Sequence, residues 1–216
     1  MEEEDKKKCF YSVWEFEESS LSTHEHLYID IRMKYMNDSK LSQLASLLTK
    51  CENLSNLEIL VGINEIKSQG ILDLASALAK CTKLTRLFLE VIENQIKVQN
   101  QPCCLSALSN CPQLQELILS VEFNNLDDQS AQNIGQTLEN IKNLQKLEIL
   151  LTDNQIGTVG AESLSQSIAK CQNLSSLKVI FINNKLSDDD VKNFKEVISK
   201  CSNLTFSQLE FVLQDD

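Results

Sequence analysis

Hydrophobic residues follow two periods along the chain, and the change from one period to the other recurs. Alternate positions are apolar at Leu57, Ile59 and Val61, which predicts a strand of about six residues with one buried face. The next apolar residues have helical spacing: Ile71, Leu74, Ala75 and Leu78. Each unit is therefore predicted to run strand, turn, helix.

The unit repeats every 30 residues, and three columns of residues mark it. Cysteine forms the first column, at Cys51, Cys81, Cys111, Cys171 and Cys201, with Ile141 at the missing position. Leucine forms the second, at Leu54, Leu84, Leu114, Leu144, Leu174 and Leu204. Asparagine forms the third, at Asn64, Asn94, Asn124, Asn154 and Asn184. A repeat of this length predicts a solenoid.

The order L-x-x-L-x-L, then Asn, then Ile or Leu, with a helical second half, resembles the leucine-rich repeat of the ribonuclease-inhibitor-like class. This resemblance covers about residues 21–216 and implies an α/β fold: a curved solenoid with a parallel β-sheet on the concave side and helices on the convex side. It also implies that the asparagine side chains stack on backbone groups of the turns. Four residues separate Ile59 from Asn64 where the common pattern has two. Longer strands are therefore expected, as in repeats that resemble those expanded in protists.

The chain is expected to divide into an N-terminal tail and cap, residues 1–20, and a leucine-rich repeat domain, residues 21–216, with six full repeats and a final strand. A dense apolar group in the cap, three of its four members aromatic, is expected to cover the open N-terminal end of the core: Phe10, Val13, Trp14 and Phe16.

The residues that could bind a metal are better explained by structural roles than by metal binding. Because Ile141 replaces a cysteine in phase, the cysteine column is expected to be buried, reduced and free of metal. Cys104, next to Cys103, falls in a core phase where the third helix should begin. His24 lies in the leucine column whereas His26 points outward, so the two do not form a site. Asp188–Asp190, like Asp127 and Asp128, are expected at helix starts. We expect no metal and no cofactor.

Composition narrows the class of partner. The net charge of −11 disfavours binding to nucleic acid. No apolar run is long enough to span a bilayer, and the start MEEEDKKKC is not typical of a signal peptide. Membrane insertion and an extracellular receptor role are therefore not expected. The expected location is the cytoplasm, with a cytoskeletal or ciliary assembly as one setting.

Nucleotide-binding and nucleophile motifs are absent from the sequence, so neither catalysis nor a small-molecule substrate is expected. Outward strand positions instead form rows on the predicted concave face, with apolar residues that should cluster. The residues predicted to bind a partner there are Tyr28, Leu60, Phe88, Ile92, Ile118, Leu150, Ile180 and Ile182. The alternative is that loops or the N-terminal segment cover these strands.

The C-terminal edge is a second predicted contact. Ser207 replaces the expected leucine, and the strand there carries Phe206, Phe211, Val212 and Leu213. An unpaired strand edge favours pairing with another chain. We therefore expect another protein or a second copy to occupy this edge.

The function predicted from these features is a non-catalytic protein-interaction module, as an adaptor or a structural subunit of an intracellular assembly. The alternative is an enzyme regulator, because GTPase activators and ribonuclease inhibitors are similar in repeat type. The chain has fewer repeats than such GTPase activators and lacks a long acidic tail. The repeat defines a scaffold and leaves the partner open.

Overall fold

A computed structural model of the chain describes residues 7–94, 96 and 105–212. Within these residues, eight strands form one parallel sheet in chain order. The strands are β1 (Lys8–Phe10), β2 (His26–Asp30), β3 (Asn56–Leu60), β4 (Arg86–Glu90), β5 (Glu116–Ser120), β6 (Lys146–Leu150), β7 (Ser176–Ile182) and β8 (Phe206–Val212). The expectations for Cys103, Cys104 and Leu213 lie outside the described residues.

Helices connect the strands and pack on one face of the sheet. They are α1 (Val13–Glu17), α2 (Asp38–Leu48), α3 (Ser68–Leu78), α4 (Asp128–Asn140), α5 (Thr158–Ala169) and α6 (Asp188–Ser199), with 3₁₀-helices at Leu21–Thr23 and Ser106–Asn110. Between β4 and β5, where an α-helix was expected, the described residues hold only the second 3₁₀-helix. Among the described residues, no helix is both long and apolar enough to cross a bilayer.

Adjacent strands pair in register with the 30-residue repeat, so each leucine lies beside its equivalent, as Leu57 does beside Leu87. Pairing continues beyond the short strands: the N–H of Ile31 donates to the carbonyl of Leu60 at 2.9 Å, and that of Met33 to Gly62 at 3.2 Å. These extra hydrogen bonds account for the two additional residues before each asparagine.

The asparagine column forms a buried hydrogen-bond ladder, as the resemblance implied. In Asn124, the side-chain Nδ2 donates to the carbonyls of Val91 and Glu122, both at 2.9 Å, and Oδ1 accepts from the N–H of Asn94 at 3.1 Å. The amide therefore satisfies backbone groups of its own turn and of the preceding turn. This bonding accounts for the asparagine in the five turns from Asn64 to Asn184, whereas Lys34 holds the equivalent position in the first turn.

The cysteine column packs inside the solenoid, which confirms the predicted burial of Cys51, Cys81, Cys111 and Cys171; Cys201 is half-buried. Burial raises the pKa of the Cys81 thiol to about 11. Ile141, in the same phase, is also buried. A buried thiol in these positions fills space in the core.

Carboxylates begin two of the helices, as predicted. The Oδ1 atom of Asp127 accepts from the N–H of Ser130 at 2.9 Å at the start of α4. At the start of α6, Asp190 accepts from the N–H of Ser187 at 2.8 Å, and Ser187 caps the helix in return. Asp188 and Asp189 lie in the first turn of α6.

At the N-terminal end, β1 pairs with β2, and Phe16 is fully buried against Phe10 and His24. Trp14 is 68% exposed, so the expectation that it covers the core is wrong. Positions two apart on a helix point to opposite sides, because one turn takes about 3.6 residues. Burying Phe16 therefore directs Trp14 to solvent.

At the C-terminal end, three aromatic rings close the core. Phe211 on β8 stacks on Phe181 at a centroid distance of 5.7 Å and meets Phe194 of α6 edge-on at 5.5 Å. The parallel sheet, the helical second layer, the 30-residue register and the asparagine ladder together define an α/β leucine-rich-repeat solenoid.

Candidate protein-binding face

The face of the sheet opposite the helices is the concave face of the solenoid. From β2 to β8, strand residues with even numbers point to it, because side chains alternate along a strand and the odd-numbered residues face the core. Its central row is partly exposed at every position from β2 to β7: Tyr28, Glu58, Phe88, Ile118, Glu148 and Lys178. The row therefore presents aromatic, aliphatic and charged groups side by side.

An apolar pair forms the centre of this row. Phe88 on β4 and Ile118 on β5 are direct register partners, as the spacing predicted. They line a depression of ≈ 220 Å³ together with Asn56, Glu58, Arg86, Leu87 and Glu116. A partner side chain that enters this depression would meet apolar surface bordered by charge.

Ion pairs border the apolar pair on both sides. They join Lys7 to Glu58 at 2.8 Å, Lys178 to Glu148 at 2.7 Å, and Glu116 to both Arg86 at 2.8 Å and Lys146 at 2.6 Å. Partly exposed pairs of this kind contribute little to folding stability. Their effect is to hold fixed charges around Phe88 and Ile118, which favours a partner with matching charges.

A second apolar patch lies towards the C-terminal end of the concave face. Leu150 and Ile180 are register partners, and Ile182 pairs with Val212 on β8. Val212 is 53% exposed, whereas the other three residues are half-buried. The predicted neighbours in this group are therefore together in the structure.

Leu60 departs from the prediction, because it is 5% exposed and does not contribute an open side chain to the face. The Arg32 guanidinium pairs with Asp30 on β2 at 2.6 Å and lies 3.5 Å from Glu90 on β4. This bridge crosses β3, the strand that carries Leu60. A charged side chain from a neighbouring strand therefore shields the leucine.

Glu90 is the buried carboxylate of that bridge, with its side chain 7% exposed. Burial raises its pKa, and the nearby Arg32 charge opposes the rise. Gly62 leaves the space that this carboxylate occupies, since a Cβ atom there would meet Glu90 Oε1 at 2.5 Å. Ile92 lies two residues beyond Glu90, so it is separated from Phe88 and does not join the central pair.

The C-terminal residues divide between the two faces of the sheet. Phe206 and Val212 are each 53% exposed on the concave side, whereas Phe211 points to the helical side and packs in the terminal aromatic cluster. Among the described residues, β8 has a strand partner only at β7. The outer backbone edge of β8 is therefore the part of this region where the sequence predicted a contact with another chain.

Exposed apolar residues at the ends of the strands were missed by the sequence interpretation. Met33, Ile63 and Phe123 each precede a turn, at 65%, 44% and 49% exposure. The signal was present, because all three lie in one 30-residue column, immediately before Lys34, Asn64 and Asn124. This column is not one of the buried columns of the repeat, and it does not belong to the outward rows within the strands.

Grouped metal ligands do not occur among the described residues, where no three His, Cys, Asp or Glu side chains are arranged to hold an ion. His24 is 5% exposed and hydrogen-bonded through Nε2 to the Ser19 hydroxyl at 2.8 Å. It points into the core as predicted, away from the surface features described above.

Comparisons with known proteins found similar solved structures. No protein-family description and no curated sequence matches the chain. The C-terminal domain of Caenorhabditis elegans tropomodulin has 12% identity and a TM-score of 0.46 over 74% of this chain and 90% of that one. Leiomodin-1 actin-binding site 2 has 14% identity and a TM-score of 0.44 over 66% and 79%.

Internalin C2 from Listeria monocytogenes is a third similar structure, with 20% identity and a TM-score of 0.39 over 80% of this chain and 83% of that one. The TM-score is below 0.5 for each of these three structures.

Proposed function

We propose that the chain is a non-catalytic protein-binding module whose concave face contacts a partner within a larger intracellular assembly. The observation that supports this most is the Phe88–Ile118 pair at the centre of the face, bordered by fixed ion pairs. Apolar anchors inside a charged rim are typical of protein interfaces. The net charge of −11 favours a protein over a nucleic acid as the partner.

The binding surface is proposed to extend from Tyr28 along the central row and to continue through Leu150, Ile180 and Ile182. Parallel strands lie about 4.8 Å apart, so six strands offer a surface wide enough for a helix or an extended segment. Ile92 borders this surface and Leu60 supports it from beneath. A continuous row of this kind suits a partner that lies across the strands.

The outer edge of β8 is proposed as a second contact. Phe206 and Val212 are exposed beside it. Backbone groups at an open edge pair readily with another strand. This contact is proposed to hold the module next to another subunit, while the concave face recognises its partner.

The proposed setting is the cytoplasm, and a cytoskeletal or ciliary assembly is the first location to test. Buried free thiols at four positions of the cysteine column support a reducing compartment. Imaging of the tagged chain, with a marker for each structure, checks the location.

A double substitution tests the concave face. Phe88→Asp with Ile118→Asp should leave the circular dichroism spectrum unchanged and weaken capture of the native partner at least about tenfold, because charges would be desolvated at the apolar centre. The matched control is Val159→Asp on α5, where the side chain is 53% exposed on the helical side.

Unchanged capture by the folded double variant would contradict the proposal. Identification of the partner by mass spectrometry separates the two functional classes. Recovery of the structural proteins of one assembly supports a subunit, whereas recovery of a GTPase or a nuclease supports an enzyme regulator.

A further inference from the structure

One position in each of the six described turns adopts the left-handed backbone conformation: the residue before each of the five ladder asparagines, and Met33, which precedes Lys34 in the first turn. The φ angles are 53° at Met33, 55° at Ile63, 48° at Glu93, 55° at Phe123, 54° at Asp153 and 51° at Asn183. In this conformation the N–H of Ile63 donates to the carbonyl of Ile92 on the next strand line at 2.8 Å. The turn therefore imposes a positive φ whatever residue is present.

Side chains differ in how well they tolerate that conformation. Asparagine and aspartate adopt it readily, so Asn183 and Asp153 suit their positions. Ile63 is β-branched, and a positive φ is a strong outlier for such a residue. The chain thus places a poorly suited residue where its own other repeats use a suitable one.

A second left-handed position repeats the contrast. Tyr35 has a φ of 52° and Asn125, at the equivalent position 90 residues later, has a φ of 55°. The tyrosine is 83% exposed. An aromatic residue there is unfavourable for the backbone and is almost entirely in solvent.

Burial in the core does not offset this strain. Met33, Ile63 and Phe123 are 65%, 44% and 49% exposed, whereas Asn124, which follows Phe123 in the ladder, is 2% exposed. Residues that are strained and also exposed gain little from folding, and such strain collects at binding sites. The reason for apolar side chains here must lie outside the folded chain.

Charge around these side chains indicates the chemistry of what covers them. Carboxylates occupy the same column or lie within two residues of it: Glu93 and Asp153 share the column, and Glu65 and Glu122 are close to Ile63 and Phe123 in sequence. Lys34 opposes them, while Arg32 is already paired with Asp30 and Glu90. With a net charge of −11, a second copy of the chain would bring like charge to the rim.

We propose that Met33, Ile63 and Phe123, here called the rim ridge, dock a protein segment that presents apolar side chains among lysines and arginines. This inference rests on the proposed protein-binding function and adds a surface and a partner chemistry to it. Apolar side chains of the partner cover the ridge, and its basic groups meet the surrounding carboxylates.

The test compares the chain with a triple variant, Met33→Asn, Ile63→Asn and Phe123→Asn. Asparagine relieves the strain, so the melting temperature should rise by about 3 °C or more. The binding probe is a fluorescent amphipathic helical peptide made of leucine and lysine, read by anisotropy. Its affinity for the triple variant should be at least about tenfold lower, and high salt should weaken its binding to the parent chain.

Three controls accompany the comparison. A leucine and glutamate peptide of the same pattern should not bind the parent chain. Val159→Asn, which alters an exposed apolar residue on α5, should bind the lysine peptide as the parent does. The Phe88→Asp, Ile118→Asp variant shows whether the lysine peptide binds at the rim ridge or at the centre of the concave face.

Several results would overturn the proposal. A lower melting temperature in the triple variant would mean that the side chains serve folding. Equal binding by the triple variant would show that the rim ridge is not the docking surface. No binding of the lysine peptide by the parent chain would show that the partner is not basic. A loss confined to the concave variant would leave the proposed function standing without the ridge. A parent dimer that becomes monomeric in the triple variant, measured by sedimentation, would make a second copy the occupant.

Discussion

Single polar side chains hold the turns of this solenoid in place through hydrogen bonds to the backbone. Asn124 is 2% exposed, and its amide bonds three backbone groups in two turns. We predict that Asn124→Ala lowers the free energy of unfolding by about 2–4 kcal/mol, because buried N–H and carbonyl groups lose their partners. Urea unfolding measures the change. Gln136→Ala, at an exposed site on α4, should stay within about 0.5 kcal/mol.

His24 makes folding sensitive to acid. Burial, and then the charge of Lys8, lowers the pKa of its imidazole. Its Nδ1 atom has no hydrogen-bond partner among the described residues. Because the folded state binds the proton less well than the unfolded state, this contribution to stability is present above about pH 6.5 and is lost as the pH falls below it.

We predict that His24→Leu, which restores the leucine column, flattens this loss. The difference in melting temperature between the variant and the parent should widen from pH 7 to pH 5 and should not depend on pH above about 8. Differential scanning fluorimetry across this range measures it. A constant difference at every pH would exclude His24 as the source.

Strands and helices in a solenoid contact mainly their neighbours, so each end needs its own closure. At the C-terminal end, α6 provides it through Phe194, which is 1% exposed and contacts Phe181 and Phe211. The cluster joins the last helix to the last two strands. Its loss should therefore open one end and leave the distant repeats folded.

We predict that Phe194→Ala costs about 3–5 kcal/mol and speeds hydrogen exchange in α6 and β8 while β2 and β3 remain protected. Phe206→Ala is the matched control, because that ring is 53% exposed. Exchange that rises equally in all repeats would show that the solenoid unfolds as one unit and would contradict the prediction.

At the scale of the whole molecule, the outer edge of β8 is the proposed contact with another chain. Asn183 donates its N–H to the carbonyl of Val212 at 3.1 Å, so even-numbered residues of β8 face β7. The N–H groups of Ser207, Leu209 and Phe211 therefore point outward. An added strand would pair with these three donors.

We predict that these three amides are protected from hydrogen exchange in the native complex and that Ser207→Pro abolishes the protection without unfolding β7. Proline removes one outward donor and suits an edge strand. Mass measured in solution distinguishes a second copy from another protein. Fast exchange at all three amides, in both the purified chain and the native complex, would reject the edge contact.

Much of the fold could be predicted from the sequence, because the repeated residues meet structural requirements that are local to one unit or shared with the next. A leucine that alternates with other residues, an asparagine at five successive turns and carboxylates at helix starts each reflect a need met within one unit or by the next. The same register placed Phe88 beside Ile118 and Leu150 beside Ile180, so those neighbours were predictable from position alone.

Contacts across strands and at the two ends were decided only by the tertiary structure. Leu60 is buried because Arg32 reaches over it towards Glu90, and no pattern within one strand records that reach. Trp14 faces solvent because Phe16 takes the core position on the same short helix. The strain at Ile63 follows from a backbone hydrogen bond to the next strand line. The sequence by itself determined the repeated unit and its buried columns, because those depend on local spacing; the tertiary structure decided which side chains stay exposed, because exposure depends on what neighbouring repeats place above them.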